Sequence, residues 1–222
     1  MTSALLLSAG LGAVPGFVRE RRRPGPAAPR VGFVAAATSI YPSAPWVDAD
    51  REALASFGLD LVEVDLTVLS GERLAAAVAG LDAIYLAGGN TFALLHHLRR
   101  SGLDRLLPGL LDDGLLYLGA SAGAAVAGLD VEPLSLMDDP AEAPALESTR
   151  GLGLVDLVLL PHADGKLAPY PSSLVERIVS TYGDRFPIQR IDDDQALLVA
   201  DGATSLVPSS VVPPPPSQPA AG

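Results

Sequence analysis

The sequence predicts an α/β fold, a three-layer sandwich in which a mostly parallel central sheet lies between helices. Three observations predict it. Short, nearly continuous apolar runs alternate with segments of helical period, and such runs suit strands buried on both faces. Hydrophobic residues make up 49% of the 222, mostly Leu, Ala and Val, while aromatics are only 5%. Finally, three of the apolar runs end in glycine-rich or polar residues, as expected at the carboxyl edge of a parallel sheet, where ligands collect.

The first strand is read at 4–8 (ALLLS), followed by strands at 31–36, 60–65, 83–87, 115–118, 154–160 and 195–200. Helical period places helices at 47–57, 72–80, 91–101, 103–112 and 171–182, with Thr91 as a candidate N-cap. The segment SAGLGAVPG at 8–16 resembles a dinucleotide-binding loop, but the third glycine of G-x-G-x-x-G falls on Pro15. The basic run Arg19, Arg21, Arg22 and Arg23 is interrupted by Glu20, is followed by Pro24, and reads as a solvated loop. From Pro208 the chain turns proline-rich, so a single domain is expected over 1–207 and a flexible tail over 208–222.

Composition narrows the function. A net charge of −11 argues against nucleic acid, which needs a basic face. With no cysteine there is no disulfide, thiolate metal site or cysteine nucleophile, and no spaced histidine pair suggests a metal. No apolar run reaches the ~18 residues of a membrane helix. The start lacks the basic residues of a signal peptide, so a cytoplasmic setting is expected.

The chemistry gathers at three strand exits. GASAG, 119–123, fits the G-x-S-x-G elbow, in which flanking glycines let a strand turn sharply into a helix and project Ser121. There the Ala122 N–H is available to a developing oxyanion. Small residues equally mark a helix crossing a sheet closely, so the motif alone leaves both readings open. Of the three histidines, His96 and His97 fit a helix surface, whereas His162, in PHAD at 161–164, stands at a strand exit where a base could reach Ser121. AGGNT at 87–91 fits either an ordinary glycine turn or one whose Gly88 and Gly89 amides face the site. If all three exits belong to one parallel sheet, they share one edge.

Taken together, YLAGGNTFALLHHLRRSGL, GLLYLGASAGAAVAG and LPHAD resemble the peptidase E (aspartyl dipeptidase) family, with cyanophycinase more distant. The resemblance is strongest over 83–128 and weaker through 151–163. It implies a class I glutamine amidotransferase-like fold and a serine peptidase acting on small peptides through an acyl-enzyme, with no metal or organic cofactor. It also implies Ser121 as nucleophile, His162 as general base, and Gly89 with Ala122 as the oxyanion hole. Matching RIDDDQALLV to the family's acid segment puts Asp193 at the triad carboxylate, with Asp192 and Asp194 one residue away. Asp164, two residues after His162, has the spacing that amidotransferases use, and Asp138 matches an aspartate near the family's active site. Gly88, Asn90 and Asp138 are therefore expected to bind substrate, with Asp138 an alternative acid. A homodimer is also suggested.

One departure bears on specificity. The family carries Gly-Glu-Thr-Arg after the histidine, whose arginine binds the substrate's aspartyl carboxylate. Here the segment reads GKLAPYPSSLVER, with Lys166, Arg177 and Arg190 the nearest cations in sequence. Strict Asp-X specificity is thereby put in question, because an unpaired substrate carboxylate would be costly to bury. The alternative expectation is a non-catalytic or differently specific member that binds a small peptide or amino acid.

Overall fold

The computed structural model describes residues 2–25 and 27–210. The chain begins with β1 (Ala4–Leu7), α1 (Val14–Arg21), β2 (Arg30–Val34), α2 (Pro45–Ser56), β3 (Asp60–Glu63) and α3 (Gly71–Val78). It continues with β4 (Ala83–Leu86), α4 (Thr91–Ser101), α5 (Leu103–Asp112), β5 (Leu116–Ala120) and the single turn α6 (Ala122–Ala125). The last part contributes β6 (Val158–Leu160), α7 (Ser172–Tyr182), β7 (Ile188–Arg190), β8 (Gln195–Ala200) and β9 (Ala203–Pro208).

The main sheet has seven strands in the order β3-β2-β4-β5-β1-β8-β9. β3, β2, β4, β5 and β1 run parallel, while β8 pairs antiparallel with β1, and β9 antiparallel with β8. Strand side chains alternate between the two faces. Ile84, Leu86, Leu6 and Tyr117 pack into one core with α3, α4 and α5, through Leu74, Leu94, Leu98 and Leu107. Tyr85, Phe33, Leu5, Leu7 and Leu118 pack into the other, against Phe17 and Val18 of α1 and Leu54 of α2. This is the expected three-layer α/β sandwich. Among the described residues no helix is long and apolar enough to cross a membrane.

Three local features differ from the sequence reading. The apolar run at 154–160 forms a strand only over Val158–Leu160, and it pairs with β7 in a separate two-stranded sheet packed on α7. The third strand exit therefore approaches from a flanking subsheet instead of sharing the main edge. Residues 14–21 form a helix that takes in the start of the basic run read as loop: Pro15 occupies the first turn, where its missing N–H costs nothing, and Arg19 and Arg21 lie in the last turn. The glycines before it serve packing rather than a phosphate, because a Cβ at Gly10 would collide with the Ser209 backbone and one at Gly12 with Ser210. Lastly, β9 runs to Pro208, which pairs with Gln195, and Ser209 is buried. Residues 211–222 of the proline-rich segment lie outside the described residues.

Candidate active site

The parallel strands converge on one edge of the sheet, and the adjacent strands β1, β5, β4 and β2 each deliver one part of a site there. β5 runs straight into Ser121, whose backbone (φ 50°, ψ −109°) is one a non-glycine residue adopts at a cost of about 1–3 kcal/mol. The surroundings hold it. Ser121 N–H is shared between the Leu7 and Ser8 carbonyls at 3.0 and 3.1 Å, and its own carbonyl accepts from Ala124 and Ala125 at 3.0 and 2.9 Å. A Cβ at Gly119 would strike the Gly123 carbonyl, and one at Gly123 would strike that of Leu86. The two glycines therefore interlock strand and helix and, by the same contact, fix the projecting serine between them. The two readings of GASAG are one structure.

His162 follows β6, is 4% exposed, and also has a left-handed backbone, φ 58°. Its Nε2 lies 2.9 Å from Ser121 Oγ and its Nδ1 lies 2.7 Å from Asp193 Oδ1. With a carboxylate at Nδ1, the network places the imidazole proton there and leaves Nε2 free to accept from the serine. Tyr170 stacks on the ring, centroids 5.1 Å apart and planes 15° from parallel. Asp193 sits in the turn between β7 and β8, where Gly10 N–H donates to its carbonyl at 2.8 Å. The other acids face elsewhere. Asp164 pairs with Lys166 at 2.8 Å, Asp138 bonds Thr91, and it is the backbones of Asp192 and Asp194 that are engaged, by Gln195 and Ser209.

Ser8, at the exit of β1, is a residue the sequence reading missed. It is 1% exposed, donates to Asp193 Oδ1 at 2.9 Å and accepts the His162 backbone N–H at 2.7 Å. Its only signal in the sequence is being the first polar residue after an apolar strand.

The β4 exit lies beside the serine. A Cβ at Gly88 would come within 3.1 Å of Ser121 Cβ, and Gly89 (φ 146°) has no room for one against the Ala37 carbonyl. Neither the Gly89 nor the Ala122 N–H has an acceptor among the described residues. The helix cap proves to be Asn90 rather than Thr91: Asn90 Oδ1 accepts from Ala93 N–H at 2.9 Å, and its amide donates to the Asp139 carbonyl at 3.1 Å. Read as a substrate contact, Asn90 is instead 2% exposed, with both ends of its side chain engaged inside the fold. Asp138 Oδ2 accepts from the Thr91 N–H and hydroxyl, at 2.9 and 2.6 Å. Burial pushes its carboxyl above the ordinary range, partly offset by the Thr91 bonds, the charge of His162 and the nearby Tyr170 hydroxyl. No Lys or Arg pairs with Asp138 among the described residues.

From the β2 exit come two aromatic residues that no motif announced. Tyr41 and Trp46 meet edge to face, centroids 5.5 Å apart, and are 39% and 43% exposed. The Trp46 indole donates to the Gly88 carbonyl at 3.4 Å. The cations named from sequence have other partners or face solvent: Lys166 is exposed against Asp164, Arg190 is clasped by Glu176, and Arg177 lies on the exposed side of α7. His96 and His97 form a half-buried pair on α4, with His97 against the Ser39 hydroxyl.

The model for peptidase family S51 matches residues 20–207. An uncharacterised peptidase of Listeria innocua, Lin0382, is 34% identical over 171 residues, covering 77% of this chain and 80% of its own. A peptidase E from Streptomyces coelicolor is 34% identical over 167 residues, 75% of this chain and 60% of that protein. Among solved structures, a candidate peptidase E protein from Listeria monocytogenes EGD-e superposes with a TM-score of 0.81 at 27% identity, covering 95% of this chain and all of its own. A peptidase from an acI-B1 Actinobacterium, at 21% identity and a TM-score of 0.63, shares the fold.

Proposed function

Since the chain belongs to peptidase family S51 and is a serine peptidase, we propose that Ser121 is its nucleophile, His162 its general base and acid, and Asp193 the orienting carboxylate. One observation carries this reading: the unbroken relay from Ser121 Oγ to His162 Nε2 at 2.9 Å and from His162 Nδ1 to Asp193 Oδ1 at 2.7 Å.

The steps follow from the atoms. Ser121 Oγ attacks the scissile carbonyl carbon while its proton passes to His162 Nε2, and Asp193 stabilises the imidazolium that forms. The carbonyl oxygen becomes an oxyanion that accepts from the Gly89 and Ala122 N–H groups, where each good donor contributes on the order of 3 kcal/mol. His162 returns the proton to the leaving amine, which departs and leaves an acyl-enzyme. Water then enters by the same base and releases the acid.

The substrates are small peptides, dipeptides among them. Asp138 is a half-buried carboxylate with no Lys or Arg paired to it among the described residues, and a charge drawn partly out of water favours a partner. The substrate's α-ammonium is the partner it takes. The same inventory disfavours Asp-X peptides, since Lys166 and Arg190, two of the cations nearest in sequence, are already paired with Asp164 and Glu176. A fluorophosphonate probe tests the nucleophile: the unmodified chain is expected to be labelled and Ser121→Ala is not. Absence of labelling in a folded, unmodified chain would instead mark a binding protein built on a peptidase frame.

A further inference from the structure

Resting on Ser121 as nucleophile and Asp138 as ammonium acceptor, we infer that Tyr41 and Trp46 form the wall that receives the side chain of the substrate's first residue. The preferred substrates are then unblocked short peptides that begin with a neutral apolar or aromatic residue.

The argument is one of reach and surface chemistry. A peptide whose ammonium lies on Asp138 and whose first carbonyl lies at Ser121 has its first residue spanning those two groups. Its side chain must fall on whatever lines that span. On the acid's side stand Tyr41 and Tyr170, both close enough to Asp138 for its charge to add to the upward pull of burial on their phenols. On the serine's side stands Trp46, whose indole N–H holds the carbonyl of Gly88, the residue packed on Ser121 Cβ. Tyr41 and Trp46 touch each other, so the wall is continuous from acid to nucleophile.

The chemistry of that wall selects its guest. The two exposed aromatics are not scattered singly but touch each other, and through Gly88 they adjoin the serine. Aromatic faces carry negative charge at their centres, favouring apolar contact and a nearby ammonium. They repel a carboxylate, as do Asp138 and Glu142, whose charges both reach Tyr41. The guest is therefore not an aspartyl side chain.

A panel of dipeptides sharing one second residue tests this. Phe-X and Leu-X should exceed Asp-X in kcat/KM by at least about a hundredfold, and acetylating the amino terminus should abolish the advantage. In Trp46→Ala the ratio of Phe-X to Ala-X should fall by roughly tenfold or more, the usual scale for lost apolar contact in a specificity pocket. Tyr41→Ala should act in the same direction, whereas Tyr41→Phe keeps the ratio. Asp-X hydrolysed as well as Phe-X, or a Phe-to-Ala ratio untouched in both alanine variants, overturns the inference. Fluorophosphonate labelling of the unmodified chain separates the two layers. Labelled enzyme with the wrong preference sinks only the wall, while unlabelled enzyme sinks the nucleophile and the wall with it.

Discussion

The Ser8 hydroxyl donates to Asp193 Oδ1 at 2.9 Å and, through the same oxygen, accepts the backbone N–H of His162 at 2.7 Å. One buried oxygen thus fixes the carboxylate and the left-handed main chain of the histidine relative to each other. Replacing Ser8 by Ala would leave the His162 N–H unpaired, at a cost of about 1–3 kcal/mol in stability. It would also let the imidazole drift from the serine. Fluorophosphonate labelling should slow roughly ten- to a hundredfold, the scale of a small misplacement near reacting atoms. Ser8→Thr, which keeps the hydroxyl, should recover part of the rate. Equal labelling rates in Ser8→Ala and the parent would show that Ser8 only supports the fold.

Asp193 and Asp138 should separate kinetically. Asp193→Asn removes the carboxylate that holds the imidazole's tautomer, and kcat should drop by about four orders of magnitude. Asp138→Asn leaves the relay intact, so its loss should appear mainly as a raised KM for peptides with a free amino terminus. Steady-state kinetics on one good substrate distinguishes the two, and an exchange of the two patterns would exchange their roles.

The interlock of Gly119 and Gly123 leaves no room for a methyl group. Gly123→Ala must push α6 away from the Leu86 carbonyl or distort β5. Overpacking of this kind costs about 1–3 kcal/mol and sometimes more. A lowered Tm together with weakened labelling is expected, since the same contact sets the serine's backbone angle. An unchanged Tm would show that the helix has slack the geometry does not reveal.

A pH effect on stability sits apart from the catalytic groups. Burial pushes the carboxyl of Asp50 up from 3.8 to about 6, against the bond it accepts from the Tyr85 hydroxyl at 2.6 Å. The folded state holds this proton more tightly than the unfolded one. Its stabilising contribution is therefore full below about pH 4 and is lost as pH rises through about 6. The shift corresponds to no more than about 3 kcal/mol. Asp50→Asn keeps an acceptor for Tyr85 without the charge. Going from pH 4 to pH 7, the parent should lose Tm relative to this variant, and a constant gap would show that Asp50 is solvated.

Much of the site could be read from sequence because its chemistry stands at strand exits, where the pattern changes abruptly from apolar to glycine or polar. Ser121, His162 and the glycines at 88 and 89 all announce themselves in that way. Asp193 was harder: among three successive aspartates, only the start of β8 at Gln195 determines which one turns inward. Ser8 was invisible because a single serine after an apolar run is the commonest of endings, and its partners lie far along the chain. The helix at 14–21 was hidden by Pro15 and Gly16, residues tolerable there only because proline falls in the first turn. The subsheet of β6 could not be foreseen either, for an apolar strand does not name the neighbour it pairs with. Tyr41 and Trp46 carry no motif, and only the fold brings them to the serine.

Ser209 lies buried against the loop after β1, where its hydroxyl donates to the Gly10 carbonyl and its N–H to that of Asp194. That buried residue ties the end of the described chain to the loop after its first strand. During synthesis the nucleophile and its elbow emerge from the ribosome first, and the carboxylate with the segment that braces it comes much later. The relay is therefore whole only when the far segment has packed back against the start of the chain.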